Sequence, residues 1–552
     1  MRFIGKNKND RSGFRAVASG VLATGDTIIL NSDGTVSAVG IAATAQSSGS
    51  VEAFESGQID YPAVAYDSHN DRVVVAYRDY GRGSDGVAVV GTITGSSISF
   101  GAEAVFKTGT TTFIDCEFDS FNNKVLITFQ DYSDSRKTKA IVGTVDATNN
   151  TISFGTVATI IDATSYQTTI SFDSNSNRFL FCGRLSSASI SPFYKYMARV
   201  LTISGTSVSA GSFVGIGGST NIYTTQDSCF DSNSNRVVVA ARNVSALSRG
   251  TVWVGQITGP SVAFGNTGDQ FELGITDDIS MDFDSNSNKV IIVYKDANDS
   301  NYGKAIVGTV DPSNNTISFG TARTFASKSV AKTTTTFDSS TNKIVIGYSD
   351  LSTNPSYSGK FLVANVSGTD ITFEAEQSFA KDENVYFNVS AFDSTSNQIV
   401  FAYRWDSTSG DILSNRGEAF LFKNTITATN LEADNFIGTV SDGYASGQTA
   451  TINVSGFIDD SQSGLTLGQN YYVDEDGTLS TTSSNPYVFA GTAVSDTELR
   501  IGGPAPLSDK IVDEDDMLSN SDTRVPSQQS VKNYVDANGL SLSQLHAAAL
   551  LF

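Results

Sequence analysis

Residues 283–299 read FDSNSNKVIIVYKDAND, and the opening phrase recurs along most of the chain. Its relatives are YDSHNDRVVVAY at 66, FDSFNNKVLITF at 118, FDSNSNRFLFCG at 172, FDSNSNRVVVAA at 230, FDSSTNKIVIGY at 337 and FDSTSNQIVFAY at 392. The seven copies start 52 to 58 residues apart. That period is the size of a four-stranded propeller blade rather than of a helical solenoid repeat. The sixth copy shows the unit cleanly. TTTTF (333–337), KIVIGY (343–348), KFLVANV (360–366) and ITFEAEQSF (371–379) are rich in β-branched and aromatic residues, so each predicts a strand. DSSTN and SGTD make the first and third turns, and only the second connection, SDLSTNPSYSG (349–359), is long. Asp-x-Asn-x-Asn also opens calcium loops, but an EF-hand needs Gly at the sixth position, Glu at the twelfth and flanking helices. Here a strand follows at once and the downstream position is Val, Ile or Tyr, which favours a turn over a metal site.

The chain has 552 residues, enough for one ring over residues 50–430 and smaller flanking modules. With 58 Asp and Glu against 36 Lys and Arg, the net charge is −22, which argues against a nucleic acid or an anionic membrane as partner. Apolar runs such as VIIVY (290–294) are strand-length, so no membrane insertion is expected, and MRFIGKNKNDRSG lacks the apolar centre of a secretory signal. Three cysteines, Cys116, Cys182 and Cys229, with no CxxC pair argue against a disulfide or zinc framework, and Cys182, in an apolar strand, is expected to be a buried free thiol rather than a nucleophile.

An open ring would leave two sheet edges unpaired. SVEAFESGQIDYPAVAYD (50–67) aligns with GAEAVFKTGTTTFIDCEFD (101–119), a fourth strand leading into a first. VEAFES (51–56) is therefore expected to complete the seventh blade beside GEAFLF (417–422) and clasp the ring. The flanks, VASGVLATGDTIILNSDGTVSAV (17–39) and SGLTLGQNYYVDEDGTLSTT (463–482), share one form: a Gly-polar turn, a strand, an acidic-Gly hairpin turn and a second strand. The expected domains are an N-terminal β segment (1–49), a seven-bladed β-propeller (50–430), a small β domain (431–507) and a C-terminal segment (508–552). In the last, QQSVKNYVDA places Val531, Tyr534 and Val535 at helical spacing before Asn538 and Gly539, which predicts a short helix. The fold class expected is all-β with that short C-terminal helical segment.

The stretch DEDDMLSNSDTRVPSQQSVKNYVDA (513–537) resembles a segment that recurs in tail-fibre and other virion proteins of tailed bacteriophages. The FDSxSNKVVIAY repeats are similar to those of marine-phage structural proteins, and residues 440–506 to small β modules near the ends of phage fibres. This resemblance implies a structural virion protein, a fibre or fibre-like appendage contributing to host attachment. It implies other tail proteins and a host surface glycan as partners, and location in the virion. It also favours a homotrimer held by Val531, Tyr534, Val535, Leu545, Leu550, Leu551 and Phe552, an apolar set too small to form its own core. The alternatives are a secreted or cell-surface propeller lectin and, third, a polysaccharide-cleaving enzyme.

The chemistry available is narrow. His69 and His546, the only histidines, lie in a turn and in the tail, which makes Ser-His-Asp, Cys-His and zinc-hydrolase sites poor readings. No catalytic residue, metal or cofactor is expected. After the second strands stand Tyr77 and Asp79, Phe129 and Asp131, Tyr294 and Asp296, Tyr348 and Asp350, and Tyr403 with Arg404 and Trp405. The third and fourth copies break the pattern with Gly183-Arg184 and Arg242-Asn243. An acid repeated in most blades reads as a structural group bonding the long loop. If exposed, these residues would suit sugar binding, rings on pyranose faces and carboxylates on hydroxyls. The long loops share one face with the connections between blades and add Phe193, Tyr194, Asn301, Tyr302, Asn354 and Tyr357 as candidate ligand-binding residues.

Overall fold

The computed structural model describes residues 13–185, 196–217, 222–265, 268–352, 357–379, 384–406, 415–484, 486–502, 511–512 and 525–526. Two units divide the chain, Ala45–Thr425 and, together, Met1–Thr44 with Ile426–Phe552.

In the first of these units, each repeat forms a curled antiparallel sheet of four strands. The first repeat gives Ile59–Asp67, Arg72–Asp79, Asp85–Thr94 and a fourth strand broken into Ser97–Phe100 and Ala104–Lys107. Two strands, Asp269–Asp284 and Arg323–Asp338, run on from the outer edge of one sheet to become the inner strand of the next. First strands of successive sheets adjoin one another, and that of the seventh, Asn384–Asp393, adjoins Ile59–Asp67. The arrangement is a ring of propeller type around a channel. The seventh sheet, Asn384–Asp393, Gln398–Asp406 and Arg416–Lys423, receives its fourth strand from the start of the unit: Ser47–Ser48 and Glu52–Glu55 pair with Arg416–Lys423.

The repeated phrase specifies its turn. Asp284 is buried; its Oδ1 accepts the N–H groups of Asn286 (2.9 Å) and Ser287 (3.0 Å), and its Oδ2 accepts the Ser287 hydroxyl (2.6 Å). Asn288 closes the turn at φ 55°, as do Asp71, Asn123, Asn177, Asn235, Asn342 and Asn397 at their own turns. Asn and Asp tolerate that left-handed conformation best among residues with a Cβ. The carboxylate oxygens a calcium loop would use are thus engaged by the turn itself.

A second device seals one sheet to the next. Phe54, Phe106, Phe271 and Phe325 in fourth strands, and Phe379 just beyond one, lie over Gly417, Gly86, Gly250, Gly303 and Gly359 of their own third strands, where a Cβ would come within 2.4 Å of the ring. Each ring then packs on an aromatic of the following sheet's second strand: Phe54 on Tyr77, Phe106 on Phe129, Phe271 on Tyr294, Phe325 on Tyr348 and Phe379 on Tyr403, at 5.1 to 5.3 Å between centroids. Where the third sheet has Gly183 at the aromatic position, Ile161 fills the space. Cys116, Cys182 and Cys229 are buried free thiols in these cores.

In the other unit, Phe14–Val17 pairs with Thr449–Ile452, Thr27–Leu30 lies between Val36–Ala38 and Phe436–Thr439, and Ile41–Thr44 pairs with Ile426–Thr429. A further sheet joins Ile458–Asp459, Leu499–Ile501, Phe489–Ala493, Asn470–Val473 and Leu479–Ser480. The N-terminal segment and the small β domain share cores, Ile28 and Val36 with Val440 and Ile452, and Ile29 and Val39 with Tyr471 and Leu499. The two hairpins read as related in sequence turn identically. Gly34 N–H donates to Asn31 O and Gly477 N–H to Asp474 O, both at 2.9 Å, with φ of 83° and 87°.

The helical part of the expected fold class is corrected. No α-helix occurs among the described residues; the one helical element is a 3-10 turn, Val244–Ala246. In the C-terminal segment the described residues, Ile511–Val512 and Val525–Pro526, pair as parallel strands. The sheets resemble propeller-type folds, and among the described residues no α-helix joins them. Val531, Tyr534, Val535, Leu545, Leu550, Leu551 and Phe552 lie outside the described residues.

Removing Phe54 empties the contact that closes the ring between the seventh and first sheets. Phe54→Ala is expected to destabilise the protein by roughly 3–5 kcal/mol in denaturant unfolding, the cost of a large side chain lost from a core. A change under about 1 kcal/mol would show that the clasp contributes little.

Candidate functional site

The residues picked from the sequence divide sharply. Tyr77, Tyr294, Tyr348 and Tyr403 are fully buried, and their hydroxyls donate to Glu103, Glu272, Glu376 and Glu418. Burial pushes the phenols of Tyr77, Tyr294 and Tyr348 far up. Their acidic neighbours are buried too and hold the long loops: Asp79 accepts Gly81 N–H (2.7 Å), Asp131 Ser133 N–H (3.1 Å) and Lys139 Nζ (2.9 Å), Asp296 Asn298 N–H (2.9 Å) and Lys304 Nζ (2.7 Å), and Asp350 Ser352 N–H (2.9 Å). These eight residues pack between sheets or hold the long loops. Trp405 is half-buried beneath the Arg416 guanidinium, 4.3 Å from its ring. Tyr302 and Tyr357 are half-buried on the loop face, and Tyr357 meets Tyr386 edge-on at 5.4 Å. Phe193, Tyr194 and Asn354 lie outside the described residues.

The residues that come together are others. Every inner strand breaks register near its loop-face end, between Asp60 and Ala63, Thr112 and Asp115, Tyr166 and Thr168, and so on round the ring. Within these bulges Tyr61 (φ 50°), Phe113 (48°), Gln167 (46°), Asp278 (46°) and Lys332 (52°) sit in left-handed backbone without being glycine. A bulge re-aims a side chain, and such conformations cost on the order of 1 kcal/mol or more each, so they mark positions where direction matters. All five line one cavity of about 460 Å³ at the channel mouth.

From this mouth a belt of rings and cations spreads across neighbouring sheets. Asp60 binds both Arg78 and Arg404, and Arg404 also holds Asp406. The Arg78 guanidinium lies 5.0 Å from the Tyr61 ring and 4.5 Å from Tyr80; Arg404 lies 5.0 Å from Tyr386. Tyr61 packs on Phe113 at 5.3 Å, and Phe113 on Tyr166 at 6.2 Å and 87°. Half-buried rings braced by cations keep fixed faces toward the mouth at little entropic cost. The sequence held a signal for this: five residues before each FDSNSN-type phrase the repeats read Tyr61, Phe113, Gln167, Thr225, Asp278, Lys332 and Phe387, a variable position among repeating neighbours.

Below the mouth the channel, about 610 Å³, is lined by all seven inner strands. Asp115 accepts Ile170 N–H (2.9 Å), Asp227 Met281 N–H (2.8 Å) and Asp282 Phe337 N–H (2.7 Å), each from the next inner strand. Burial raises their carboxyls, Asp115 strongly, Glu117 to about 7, and Asp227 and Asp282 to about 6. A separate trio, Glu55, Asp79 and Glu103, brings carboxylate oxygens within 4.8 Å of one another. Its oxygens already accept Gly57 N–H (2.6 Å), Gly81 N–H (2.7 Å), Tyr77 hydroxyl (2.9 Å) and Arg82 Nε (2.7 Å). Burial, then the bond to Glu103, lifts Glu55 to about 7, while Glu103 is held below its ordinary value despite burial. Of the trio, Glu55 holds a proton more tightly than Glu103, and Asp79 caps its own loop through Gly81.

The channel acids hold their protons more tightly folded than unfolded. Their contribution to stability is complete below the ordinary carboxylate range and is lost as pH rises through about 6 to 7. Asp131 acts oppositely: against its burial, hydrogen bonds from Ser133 and Lys139 hold it at about 2, so its contribution disappears only as the pH falls through that value. Between pH 5 and pH 8 the melting temperature should therefore fall. Glu117→Gln, Asp227→Asn and Asp282→Asn should flatten the slope, each by on the order of 1–2 kcal/mol. An unchanged slope in all three variants would mean these acids titrate normally.

No known family's sequence profile matches the chain, and no curated protein matches it. Solved structures similar in chain course include a protein of unknown function from Dyadobacter fermentans (10% identity, TM-score 0.40, covering 68% of this chain and 99% of that one). The NanB sialidase of Streptococcus pneumoniae gives 12% identity and a TM-score of 0.38 over 68% of this chain and 70% of that one. Sqt1 of Saccharomyces cerevisiae gives 11% and 0.39, over 69% and 100%.

Proposed function

We propose that the ring is a non-catalytic carbohydrate-binding module that grips a glycan across the channel mouth. The observation that carries this is the belt Tyr386, Arg404, Asp60, Arg78, Tyr61, Phe113 and Tyr166, with bulged residues aimed at one cavity. Aromatic faces suit the apolar faces of pyranose rings, and paired Arg and Asp groups suit hydroxyls, which both donate and accept. Catalysis on a glycosidic bond needs one carboxyl free to give a proton and another free to attack or activate water. At the mouth Asp60 is engaged by two guanidinium groups and Asp278 by Lys295, an arrangement that serves recognition rather than proton transfer.

A virion appendage is the second reading, favoured by DEDDMLSNSDTRVPSQQSVKNYVDA at 513–537, and glycan binding is compatible with host attachment. Light scattering on the full chain and on a chain ending at Pro506 tests its assembly arm: a trimer that becomes a monomer supports it, and a full-length monomer rejects the trimer.

A glycan array with the purified chain tests the main reading. Tyr61→Ala and Tyr386→Ala should each weaken binding by roughly tenfold, the worth of a lost stacking contact. Phe121→Ala, on an exposed turn of the opposite face, should leave it unchanged. Binding that survives both tyrosine changes would place the site elsewhere, and no binding to any glycan would reject the function.

A further inference from the structure

Charge is not balanced evenly around the mouth. Through most of it a cation meets an acid: Arg78 and Arg404 share Asp60, Arg242 holds Asp277 at 2.7 Å, and Lys295 holds Asp278 at 2.8 Å. Arg136 and Arg184 differ, for among the described residues neither meets a carboxylate. Arg136 donates to Tyr166 Oη (2.9 Å) and Tyr132 Oη (2.8 Å), and its guanidinium lies 4.5 Å from the Tyr132 ring and 6.0 Å from that of Tyr166. Arg184 lies 5.9 Å from the same Tyr166 ring, and its Nε is buried without an acceptor. Both arginines are half-buried. The neighbouring connections, SSASISPFYK (186–195) and GSTN (218–221), contain no Asp or Glu.

In a chain with 58 acids to 36 bases, two guanidinium groups that both lie about 6 Å from the Tyr166 ring, neither meeting a carboxylate among the described residues, make this sector of the mouth locally positive. A guanidinium fork matches a carboxylate or a sulfate ester, forming two parallel charge-assisted hydrogen bonds. The net charge of −22 does not abolish this, because at physiological salt fields fade over about 8 Å, and inside that range the local sign decides. Tyr166 also belongs to the aromatic belt, so an anion held here would lie on a sugar whose neighbours reach Phe113 and Tyr61.

We infer that Arg136 and Arg184 form the subsite for the anionic group of an acidic saccharide, a uronate or sialate carboxylate or a sulfate ester. The inference rests on the carbohydrate-binding reading of the mouth. It is tested on an array printed with neutral glycans, uronate oligosaccharides and their methyl esters, sialylated glycans and sulfated glycans. Acidic members are expected to bind roughly tenfold or more tightly than their neutral counterparts, the worth of hydrogen bonds to a charge. Carboxylate and sulfate spots separate the two sources. Arg184→Gln and Arg136→Gln should erase the preference while binding to the methyl esters persists. Should either variant fail to fold, salt dependence of the unaltered chain serves: raising salt from about 0.05 to about 0.5 M should weaken the acidic spots selectively. Equal binding of uronates and esters, or a preference that survives both substitutions, overturns the subsite and leaves the carbohydrate reading standing. No binding to any glycan overturns both.

Discussion

A strand at the centre of a ring of sheets has no partner on its inner side, and all seven sheets here begin with such a strand. Its inward N–H and C=O groups must be satisfied or hydrated, because a buried unpaired backbone group costs as much as a lost hydrogen bond. The inner strands meet this with side chains from their neighbours: Asp115, Asp227 and Asp282 each accept an N–H from the next strand round, and Thr334 and Thr336 both bond Ser390. Polar residues in the middle of the molecule follow from that constraint, as do the raised carboxyls. The bulges follow too, since ending the inner strand's regular pairing near the mouth lets those residues turn toward the channel opening.

The repeated phrase made most of the ring legible. The spacing of FDSNSN-type copies, the turn chemistry of Asp and Asn, and the match of VEAFES to the fourth strand of a repeat are all local signals, and local signals are what a single sequence carries. The candidate site was far less legible for the same reason. Tyr77, Tyr294 and Tyr348 drew attention because they repeat, and they repeat because each must receive a phenylalanine from the preceding sheet. Repetition in a ring records what every joint needs. The recognition proposed above would reside where the repeats differ, at Tyr61, Phe113, Gln167, Asp278 and Lys332, and a reading that sought the consensus passed over them. The expected C-terminal helix, on residues outside those described, had a weaker basis: apolar residues at helical spacing over one short stretch are also compatible with other structures, and no α-helix occurs among the described residues.

The two classes of aromatic residue separate the joints of the scaffold from its channel mouth. Tyr77 and its equivalents lie in the second strands, packed between sheets with their hydroxyls bonded to glutamates. Tyr61, Phe113, Tyr166 and Tyr386 lie near the ends of the first strands, half-open, with arginines beside the three tyrosines. Substitution in the second class need not disturb the first, so the mouth is free to vary while the joints are held.

Closure by Glu52–Glu55 also sets the order in which the ring can be built. This strand leaves the ribosome before the first repeat, whereas its partner, Arg416–Lys423, emerges after the last. At ordinary synthesis rates the strand waits roughly twenty seconds to a minute with Phe54 uncovered. Glu52 and Glu55 flank that phenylalanine, and charges beside an apolar strand residue discourage pairing with stray chains. Once the ring shuts, Glu55 is enclosed beside Glu103 and its carboxyl rises to about 7. The same group is thus a solubilising charge during synthesis and, at the closed seam, a carboxyl that holds its proton more tightly than it does in the open chain.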